Sequence, residues 1–594
     1  MAAGLIALIM PKRLKEAWVI AVTALNLALA VSLYGKAMSF TAPWAGYGIE
    51  LSLKLYHFSA FIMLASAGFG LLITLYSSAS LRDRGYAKQF FAYLLLTLGL
   101  ANGAVLADNL VAMLFFLEGL LLTTFGMIAI GRKEAFRAAT KAFIIIGVGD
   151  LCMMVGIALC GHIAGTFTIS KLSIAVSGLG GIAFLLMMIG ALAKSGSVPF
   201  HTWIPDAATE APLPFMAILP GAMEKLVGIY LLTRISLDIF KLVPHSWASM
   251  TLMIIGAITI VGAVMMALVQ KDYKRLLSYH AISQLGYMIL GIGTLVPAGI
   301  VGGLFHMINN ALYKSCLFLT GGSVERQAGT TDLEELGGLA RMMPVTFGCF
   351  LITALSISGV PPFNGFFSKE LVYDGALERG RIFYIAAVLG SFLTAASFLK
   401  LGHAAFLGRS NREGVREAPP AMLAPMIIIA ALCIVFGVWN ALPLRYLIQP
   451  ILGERLAGHD YSGMHVNVML TAITIIVLLG ALANHLYGAK RTGSGLKAVD
   501  HIHYAPFLHP LYDKAEKGKL DPYNIGMGFV NMFAAAASRC DNAINWVYDD
   551  LAPGVTGAIS AAIRKLHDGS YRTYILWSVA ACAVVVIVML NRLR

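Results

Sequence analysis

Three lysines stand in apolar stretches of the chain, beside or between two strings of helix-breaking residues. Lys194 ends an apolar run just before Ser-Gly-Ser-Val-Pro, Lys314 lies inside the run ALYKSCLFL, and Lys369 follows a second break, Ser-Gly-Val-Pro-Pro. A charge at mid-bilayer costs on the order of 3 kcal/mol, so such residues are by default functional. Irregular backbone at membrane depth is tolerated where it is buried or lines a wet cavity. Together these features predict an ion path.

A histidine and an asparagine share the helical run of the central lysine. His306 and Asn310 are four residues apart, and Lys314 follows four further on. Residues with this spacing lie on one face of a helix. We therefore expect one hydrated path past all three, with His306 as a proton carrier; a histidine that only joins two helices is the alternative.

Further charged residues are candidates of lower rank. Asp150, in the string GVGD, is a pathway residue or a helix-packing residue. Glu224 and Lys225 are neighbours in sequence and should not face each other on a helix, so one would serve the path and the other a loop or the lipid boundary. Glu370 directly follows Lys369. For any lysine near the end of a span, the alternative is a side chain that reaches the membrane surface.

Composition places the chain among helical proteins that cross a membrane many times. It has 594 residues, of which 58% are hydrophobic and 13% charged, and its mean hydropathy is +0.77. A soluble core does not need so much apolar surface. The formal charge of +13 lies in short basic clusters between apolar runs, as in membrane proteins, so we expect a lipid bilayer and no nucleic acid as partner.

The sequence predicts neither a cofactor site nor a metal site in this chain. The seven cysteines are scattered and form no CxxC pair, and no GxGxxG after a strand and no P-loop occurs. His501, His503 and His509 could bind a metal, but a solvated loop is the favoured interpretation because suitable further ligands are missing. Any redox chemistry must therefore belong to partner proteins.

Hydropathy predicts an all-α fold with about fifteen transmembrane helices, or sixteen with the short segment 1–10. Basic clusters at 12–15, 82–88, 132–137, 271–275 and 409–416 fall in alternate connections and should face the cytoplasm, which leaves both termini on the other side. The remaining predicted spans are 17–34, 58–76, 90–107, 110–130, 142–160, 181–194, 213–233, 249–268, 276–295, 299–321, 345–358, 382–406, 422–439, 466–486 and 574–590.

The two breaks echo each other, as SGSVPF and SGVPPF. Two interrupted apolar segments in corresponding halves indicate inverted structural repeats with ion sites at the breaks. The predicted divisions are N-terminal helices at 1–88, a first repeat at 89–235, a second repeat at 245–408, C-terminal helices at 420–487, a loop and surface helix at 488–570, and a final span at 571–594.

A long amphipathic helix is predicted at 521–568, just before the final span. Asp521-Pro522 is a helix start, and apolar residues then recur every three or four positions, with a resumption after Pro553-Gly554. Such a helix would be about 70 Å long. It could transmit energy as a piston or hold neighbouring subunits together as a clamp, and we favour the clamp.

Four motifs, SVPFHTWIPDA, KDYKRLLSYHAISQLGYM, HMINNALYKSCLFLTGGSV and GVPPFNGFFSKE, resemble those of the antiporter-like proton-pumping subunits of respiratory complex I. Related membrane-bound hydrogenases and multi-subunit cation/proton antiporters share them. The resemblance implies two inverted five-helix repeats, each forming a half-channel. It places a glutamate of the path at Glu118, in FFLEG, as the partner of Lys194, with Lys194, Lys314 and Lys369 as the relay lysines.

The chain departs from the distal complex I subunits at two positions. Pro220 and Asn310 stand where those relatives commonly have histidines, so part of the relay must run through water or other side chains. The string LPGAMEKLVGIYLL is more similar to energy-converting [NiFe] hydrogenases. That branch implies a proton- or sodium-translocating subunit in a prokaryotic plasma membrane, with peripheral redox subunits that hold a [NiFe] centre and iron–sulfur clusters, and membrane neighbours along the surface helix. The alternatives are a quinone-reducing complex I-like enzyme, a non-redox antiporter and a non-pumping structural subunit.

Overall fold

The computed structural model describes residues 1–11, 14–46, 49–132, 134–408, 412, 414–463 and 467–593. The chain is 78% helical, and its helices form two compact units, Met1–Lys517 and Gly518–Arg594. The predicted all-α membrane class is confirmed. Four residues of the predicted basic clusters, Lys12, Arg13, Lys133 and Arg409, lie outside the described residues.

The N-terminal region contains a hairpin that the sequence reading did not predict. Leu51, Leu53 and Leu55 alternate with polar residues, the period of a strand. The two strands pair antiparallel, with Met38 opposite Leu55. The elements are α1 (Ala2–Ile9), α2 (Lys15–Leu33), β1 (Met38–Pro43), β2 (Glu50–Leu55) and α3 (His57–Ser80).

The first half of the helical core contains a broken helix that ends beside Lys194. The helix ends at Ser195, because the next residue, Gly196, adopts the left-handed conformation with φ of 72°. The helices are α4 (Ala87–Leu106), α5 (Leu110–Ala129), α6 (Ala135–Ala164), α7 (Gly178–Ser195), α8 (Trp203–Glu210), α9 (Leu213–Ile218) and α10 (Glu224–Thr233). The π-helical turn Leu219–Met223 joins α9 to α10, and a second one, Arg234–Ile239, extends α10. Together they form one span, Leu213–Ile239.

The second half repeats this order of three continuous helices, one broken helix and one further helix. Gly359, with φ of 82°, ends the first part of the broken helix. The helices are α11 (Trp247–Val269), α12 (Tyr273–Thr294), α13 (Pro297–Ala328), α14 (Leu339–Met342), α15 (Pro344–Ser358), α16 (Asn364–Arg379) and α17 (Arg381–Gly402). A π-helical turn, His403–Leu407, extends α17.

The remaining helices of the first unit follow in sequence order. They are α18 (Pro420–Val438), α19 (Ala441–Pro443), α20 (Gln449–Leu452), α21 (Val468–Thr492), α22 (Asp500–His503) and α23 (His509–Glu516). The helix α21 packs against α17, and α18 packs against α13.

The second unit contains the predicted surface helix and the final span. Its helices are α24 (Pro522–Trp546), α25 (Ala552–Leu566) and α26 (Tyr571–Arg592). The Asp521 carboxylate accepts a hydrogen bond from the Tyr523 backbone N–H, 2.9 Å away, and so caps α24 as predicted. The predicted interruption at Pro553-Gly554 is wrong. A π-helical turn, Val547–Leu551, joins α24 to α25, and Pro553 lies in the turn that follows it.

Each of the sixteen predicted spans corresponds to a helix, but within the described residues only twelve are long and apolar enough to be recognised as spans. The other four are the short α1 and α15 and the long α12 and α13. Almost every side chain of α12 and α13 is buried. Because these two helices face other helices rather than lipid, they can carry polar residues that lower their hydropathy.

Candidate functional site

Lys194 forms a buried ion pair at the end of α7. Its Nζ donates to Asp150 Oδ2 at 2.6 Å and to the Leu117 carbonyl oxygen at 2.9 Å. The side chains of the two charged residues are 9% and 3% exposed. We expected Glu118 to be the partner of this lysine, and the structure gives Asp150 that place. The helix α6 packs along α7, so one turn of α6 brings the carboxylate to the break.

Glu118 enters the same cluster through Asp150. The Glu118 carboxylate, on α5, acts electrostatically on that of Asp150. Two carboxylates and one ammonium therefore meet at the first break. A cation that arrived between the carboxylates would compete with the lysine for them.

Glu224 and Lys225 carry the cluster towards the centre of the chain. Lys225 Nζ donates to the Ser195 carbonyl oxygen at 2.7 Å and to Glu224 Oε2 at 3.3 Å. Both side chains are buried. The expectation that these neighbours would not face each other is wrong, because the Lys225 side chain is long enough to reach the Glu224 carboxylate.

A small cavity separates Lys194 from Glu224, and both residues line it together with Thr124 and Trp203. Its volume of about 40 Å³ leaves room for water. Lys194 acts electrostatically on Glu224 across this gap. The cavity is thus a place where water can join the two ion pairs.

Lys314 lies fully buried in the middle of α13. Within the described part of the chain, its Nζ has no hydrogen-bond partner. It faces the rings of Phe398 and Phe318, 5.5 and 5.9 Å from their centroids. One turn earlier, both polar atoms of the buried Asn310 amide also have no partner among the described residues. Unsatisfied buried groups of this kind are unfavourable, so the pair marks a polar centre.

Lys369 points inward from α16 and does not reach the membrane surface. Its Nζ donates to the Ile357 carbonyl oxygen at 2.8 Å and to Ser391 Oγ at 3.0 Å. It lies 5.1 Å from the centroid of the Tyr287 ring. The Tyr287 hydroxyl donates to the Ala387 carbonyl oxygen at 2.7 Å and contacts Ser391 Oγ at 3.1 Å.

Ser391 is the point where these groups meet, because the Tyr373 hydroxyl also contacts its Oγ. By contrast, Glu370 faces away from this cluster. Its Oε1 accepts from Thr474 Oγ1 on α21 at 2.5 Å. The adjacent residues Lys369 and Glu370 therefore have different surroundings.

His306 joins three helices. Its Nδ1 contacts Ser368 Oγ on α16 at 2.9 Å, and its Nε2 contacts Gln284 Oε1 on α12 at 3.2 Å. The Tyr313 hydroxyl lies 3.2 Å from the same Nε2. Since α13 is continuous, His306, Asn310 and Lys314 share one face as expected.

Sequence reasoning missed several buried basic residues, among them His280 and Lys400. Lys400 Nζ donates to the carbonyl oxygens of Leu268 and Gln270, at 2.6 and 2.8 Å, and so caps the end of α11. His280 lies on α12, facing α17. Lys400 lies beyond the second break in the sequence, and the partners of His280 come from other helices, so the local sequence marked neither of them.

The described residues contain no group of three or more histidine, cysteine, aspartate or glutamate side chains that could hold a metal ion. His501 and His503 lie in the short helix α22 and His509 begins α23, so the predicted loop is helical at these positions. His501 contacts Asn484 Oδ1 at 2.8 Å.

Residues 107–394 match a protein family described as "NADH:quinone oxidoreductase/Mrp antiporter, TM". Over these residues the chain is similar to antiporter-like membrane subunits of the complex I and Mrp type. The matched residues run from the end of α4 into α17, so they include both breaks and the three lysines Lys194, Lys314 and Lys369.

The chain is 32% identical over 489 residues to "Na(+)/H(+) antiporter subunit A1" of Staphylococcus haemolyticus, and the alignment covers 75% of this chain and 60% of that protein. It spans 51% to 62% of the length of the antiporter subunits that it matches. These names favour the antiporter alternative over the hydrogenase branch that the sequence reading preferred.

Two solved structures share the fold of this chain. A chain of the Mrp complex from Dietzia sp. DQ12-45-1b is 24% identical with a TM-score of 0.70, covering 80% of this chain and 98% of that one. A chain of the archaeal membrane-bound sulfane sulfur reductase, a respiratory membrane complex, is 23% identical with a TM-score of 0.72, covering 99% of this chain and 98% of that one. At this level of identity the likeness concerns the fold alone.

Proposed function

We propose that this chain moves protons or sodium ions across a prokaryotic plasma membrane as one subunit of a non-redox, multi-subunit cation/proton antiporter. One observation carries the proposal, namely the row of buried ionisable side chains that begins with Asp150 and Lys194, continues through Glu224, Lys225 and Lys314, and ends at Lys369. The antiporter names of the relatives favour ion exchange as the activity.

The chemistry of the first break supports an exchange of a cation for a lysine proton. The Asp150 carboxylate stabilises the Lys194 ammonium at 2.6 Å. A proton or sodium ion that binds Asp150 and Glu118 neutralises this contact. Lys194 then holds its proton less tightly, and the proton can move through the cavity towards Glu224. The site acts as a switch, because the Asp150 carboxylate can pair either with the Lys194 ammonium or with the incoming cation.

The next groups extend this switch across the core. Lys225 and Lys314 act on each other electrostatically, and both are cations when protonated. Like charges in a buried site cannot easily coexist. A proton that arrives at Lys225 therefore favours release at Lys314, and the proton is expected to leave by Lys369.

The test is cation-dependent collapse of a pH gradient in everted membrane vesicles that contain the whole complex. Vesicles acidified by respiration are treated with NaCl, and the gradient is followed with acridine orange. We expect Lys314→Ala to abolish the collapse while the complex still assembles on a native gel. The exposed Lys271→Ala is the matched control and should behave as wild type.

Two results would contradict the proposal. A wild-type complex that leaves the gradient intact after addition of sodium, lithium or potassium salts is not an antiporter. Full activity of Lys314→Ala in an assembled complex would mean that this chain does not transport ions and has only a structural role, the docking of neighbouring subunits.

A redox-driven pump is the second candidate, and one observation favours it. The sulfane sulfur reductase chain matches this chain over 99% of its length, including the second compact unit. Peripheral redox subunits with iron–sulfur clusters, or a [NiFe] centre, would then be partners. Iron, nickel and acid-labile sulfide in the purified complex, with ion uptake that requires an electron donor, would establish this candidate.

The helix formed by α24 and α25 is the proposed contact with neighbouring membrane subunits. It runs without interruption from Pro522 to Leu566, a length of about 70 Å. Its side chains are exposed in this chain, and its apolar face needs a partner or lipid. We propose that it acts as a clamp. Insertion of a flexible linker within it should weaken assembly before it changes the turnover of complexes that remain intact.

A further inference from the structure

One face of α12 carries three polar side chains between the central and the last lysine. His280, Gln284 and Tyr287 occupy positions i, i+4 and i+7, which place them one above the other on a helix. Gln284 Oε1 contacts His306, and the Tyr287 ring covers Lys369. The third member, His280, faces the centre of the core.

His280 and Lys314 lie against the same aromatic ring. The His280 ring centroid is 4.7 Å from that of Phe398, and Lys314 Nζ is 5.5 Å from it. The imidazole is fully buried. Its Nε2 contacts Ser397 Oγ at 2.8 Å, whereas its Nδ1 has no hydrogen-bond partner among the described residues.

A buried imidazole nitrogen without a partner is unfavourable by about 1–3 kcal/mol. A purely structural histidine would use both nitrogens. Here the His280 Nδ1 atom has no partner among the described residues. The His280 ring packs against Phe398, and so does the Lys314 ammonium, whose hydrogens also have no partner among the described residues. The two open groups complement each other, since one can give a proton and the other can take it.

We propose that His280 carries the proton from Lys314 to Lys369, an inference that rests on the proposed ion transport. Both lysines act electrostatically on the imidazole, so it is coupled to the donor and to the acceptor. Asn310 cannot carry a proton at the corresponding point of α13. His280 supplies the missing imidazole from the neighbouring helix.

The proposed step conserves charge and atoms. Through bridging water, an N–H bond breaks at the Lys314 ammonium and one forms at His280 Nδ1, which turns the imidazole into an imidazolium. That N–H bond then breaks, and a new one forms at the neutral Lys369 amine. Throughout the step, the Nε2–H group donates to Ser397 Oγ. Ser397 thus keeps Nδ1 free to accept.

The test compares His280→Gln with the exposed His162→Gln in the assembled complex, using the vesicle assay above. General acid–base groups contribute about 10²-fold or more to rate, so we expect His280→Gln to slow ion exchange about 100-fold. His162→Gln should match wild type. External imidazole should partly restore His280→Ala and leave Lys314→Ala inactive, a result that a structural role does not produce.

Two outcomes overturn the inference, and they are distinguishable from failure of the transport proposal. If Lys314→Ala is inactive but His280→Gln exchanges ions at the wild-type rate, transport stands and the role of His280 is wrong. If both variants are fully active, both proposals are wrong. Should His280→Gln fail to assemble, Ser397→Ala decides, because it leaves the imidazole in place. We expect it to slow exchange several-fold, and a wild-type rate would refute the relay.

Discussion

Replacement of Asp150 by asparagine removes the charge that holds the Lys194 ammonium and keeps the shape of the side chain. The two charged atoms are 2.6 Å apart, which corresponds to about 6 kcal/mol of attraction at an effective dielectric constant of about 20. Much of this offsets the desolvation of both groups. Removal of one partner of a buried pair is therefore expected to destabilise the protein by about 3–5 kcal/mol.

The assay is a double-mutant cycle on the purified complex, read as apparent melting temperature and as ion exchange. Asp150→Asn should lower the melting temperature strongly and abolish exchange. Lys194→Met removes the ammonium as well and fills its space. The double variant should melt higher than Asp150→Asn alone, since no unpaired buried charge remains.

The exposed pair Lys271–Glu334 is the control, because its charged atoms are 2.7 Å apart but its side chains are 64% and 50% exposed. Glu334→Gln should lower the melting temperature only slightly at neutral pH, far less than Asp150→Asn. The reasoning is refuted if Asp150→Asn melts like wild type, or if the effects of Asp150→Asn and Lys194→Met simply add. Either result would show that Lys194 does not depend on Asp150 for its charge.

Three further predictions concern the breaks and the surface. Gly196→Ala should lower the melting temperature of the protein more than Gly165→Ala. Both positions have positive φ, which costs about 1–2 kcal/mol for a residue with a side chain, but only at Gly196 would a Cβ approach another atom within 4 Å. Equal melting temperatures would contradict this. Lys369→Met should abolish exchange in the vesicle assay, whereas Glu370→Gln, directed towards α21, should retain most of it; the reverse order would place the path at Glu370. The hydrogen bond from Lys271 lowers the pKa of Glu334 below its ordinary value of 4.5. The Glu334 carboxylate should therefore stabilise the folded protein above pH 4.5, and this stabilisation should be lost as the pH falls through the lower pKa of the folded state. A melting difference between wild type and Glu334→Gln that grows on acidification would contradict this.

Much of the fold could be predicted because lipid imposes a simple rule on helices that face it. Every predicted span corresponds to a helix, and the breaks at Gly196 and Gly359 were visible as glycine and proline beside polar residues. The hairpin β1–β2 was missed because a search for long apolar runs does not detect two strands of six residues each. The helix α24–α25 was predicted with an interruption because Pro553 normally ends a helix, and the π-helical turn before it could not be foreseen.

The candidate site was predictable in its lysines and less so in their partners. Lys194, Lys314 and Lys369 stand out because an ammonium is rare in an apolar run. Which carboxylate meets Lys194 depends on how α6 packs against α7, and the sequence carries no direct sign of that. His280 was missed for the same reason, since its neighbours Lys314 and Phe398 come from α13 and α17.

The contacts of Ser391 determine which hydrogen can leave Lys369. The Tyr287 hydroxyl donates to a carbonyl oxygen, so it can only accept in its contact with Ser391, whose Oγ itself accepts from Lys369. This chain of hydroxyls ends at the Ala387 carbonyl oxygen, which takes up no proton. A proton from Lys369 therefore cannot leave along it. A second hydrogen of the ammonium is held by the Ile357 carbonyl oxygen. An ammonium has three hydrogens, and the third, directed at neither, is the one available for discharge.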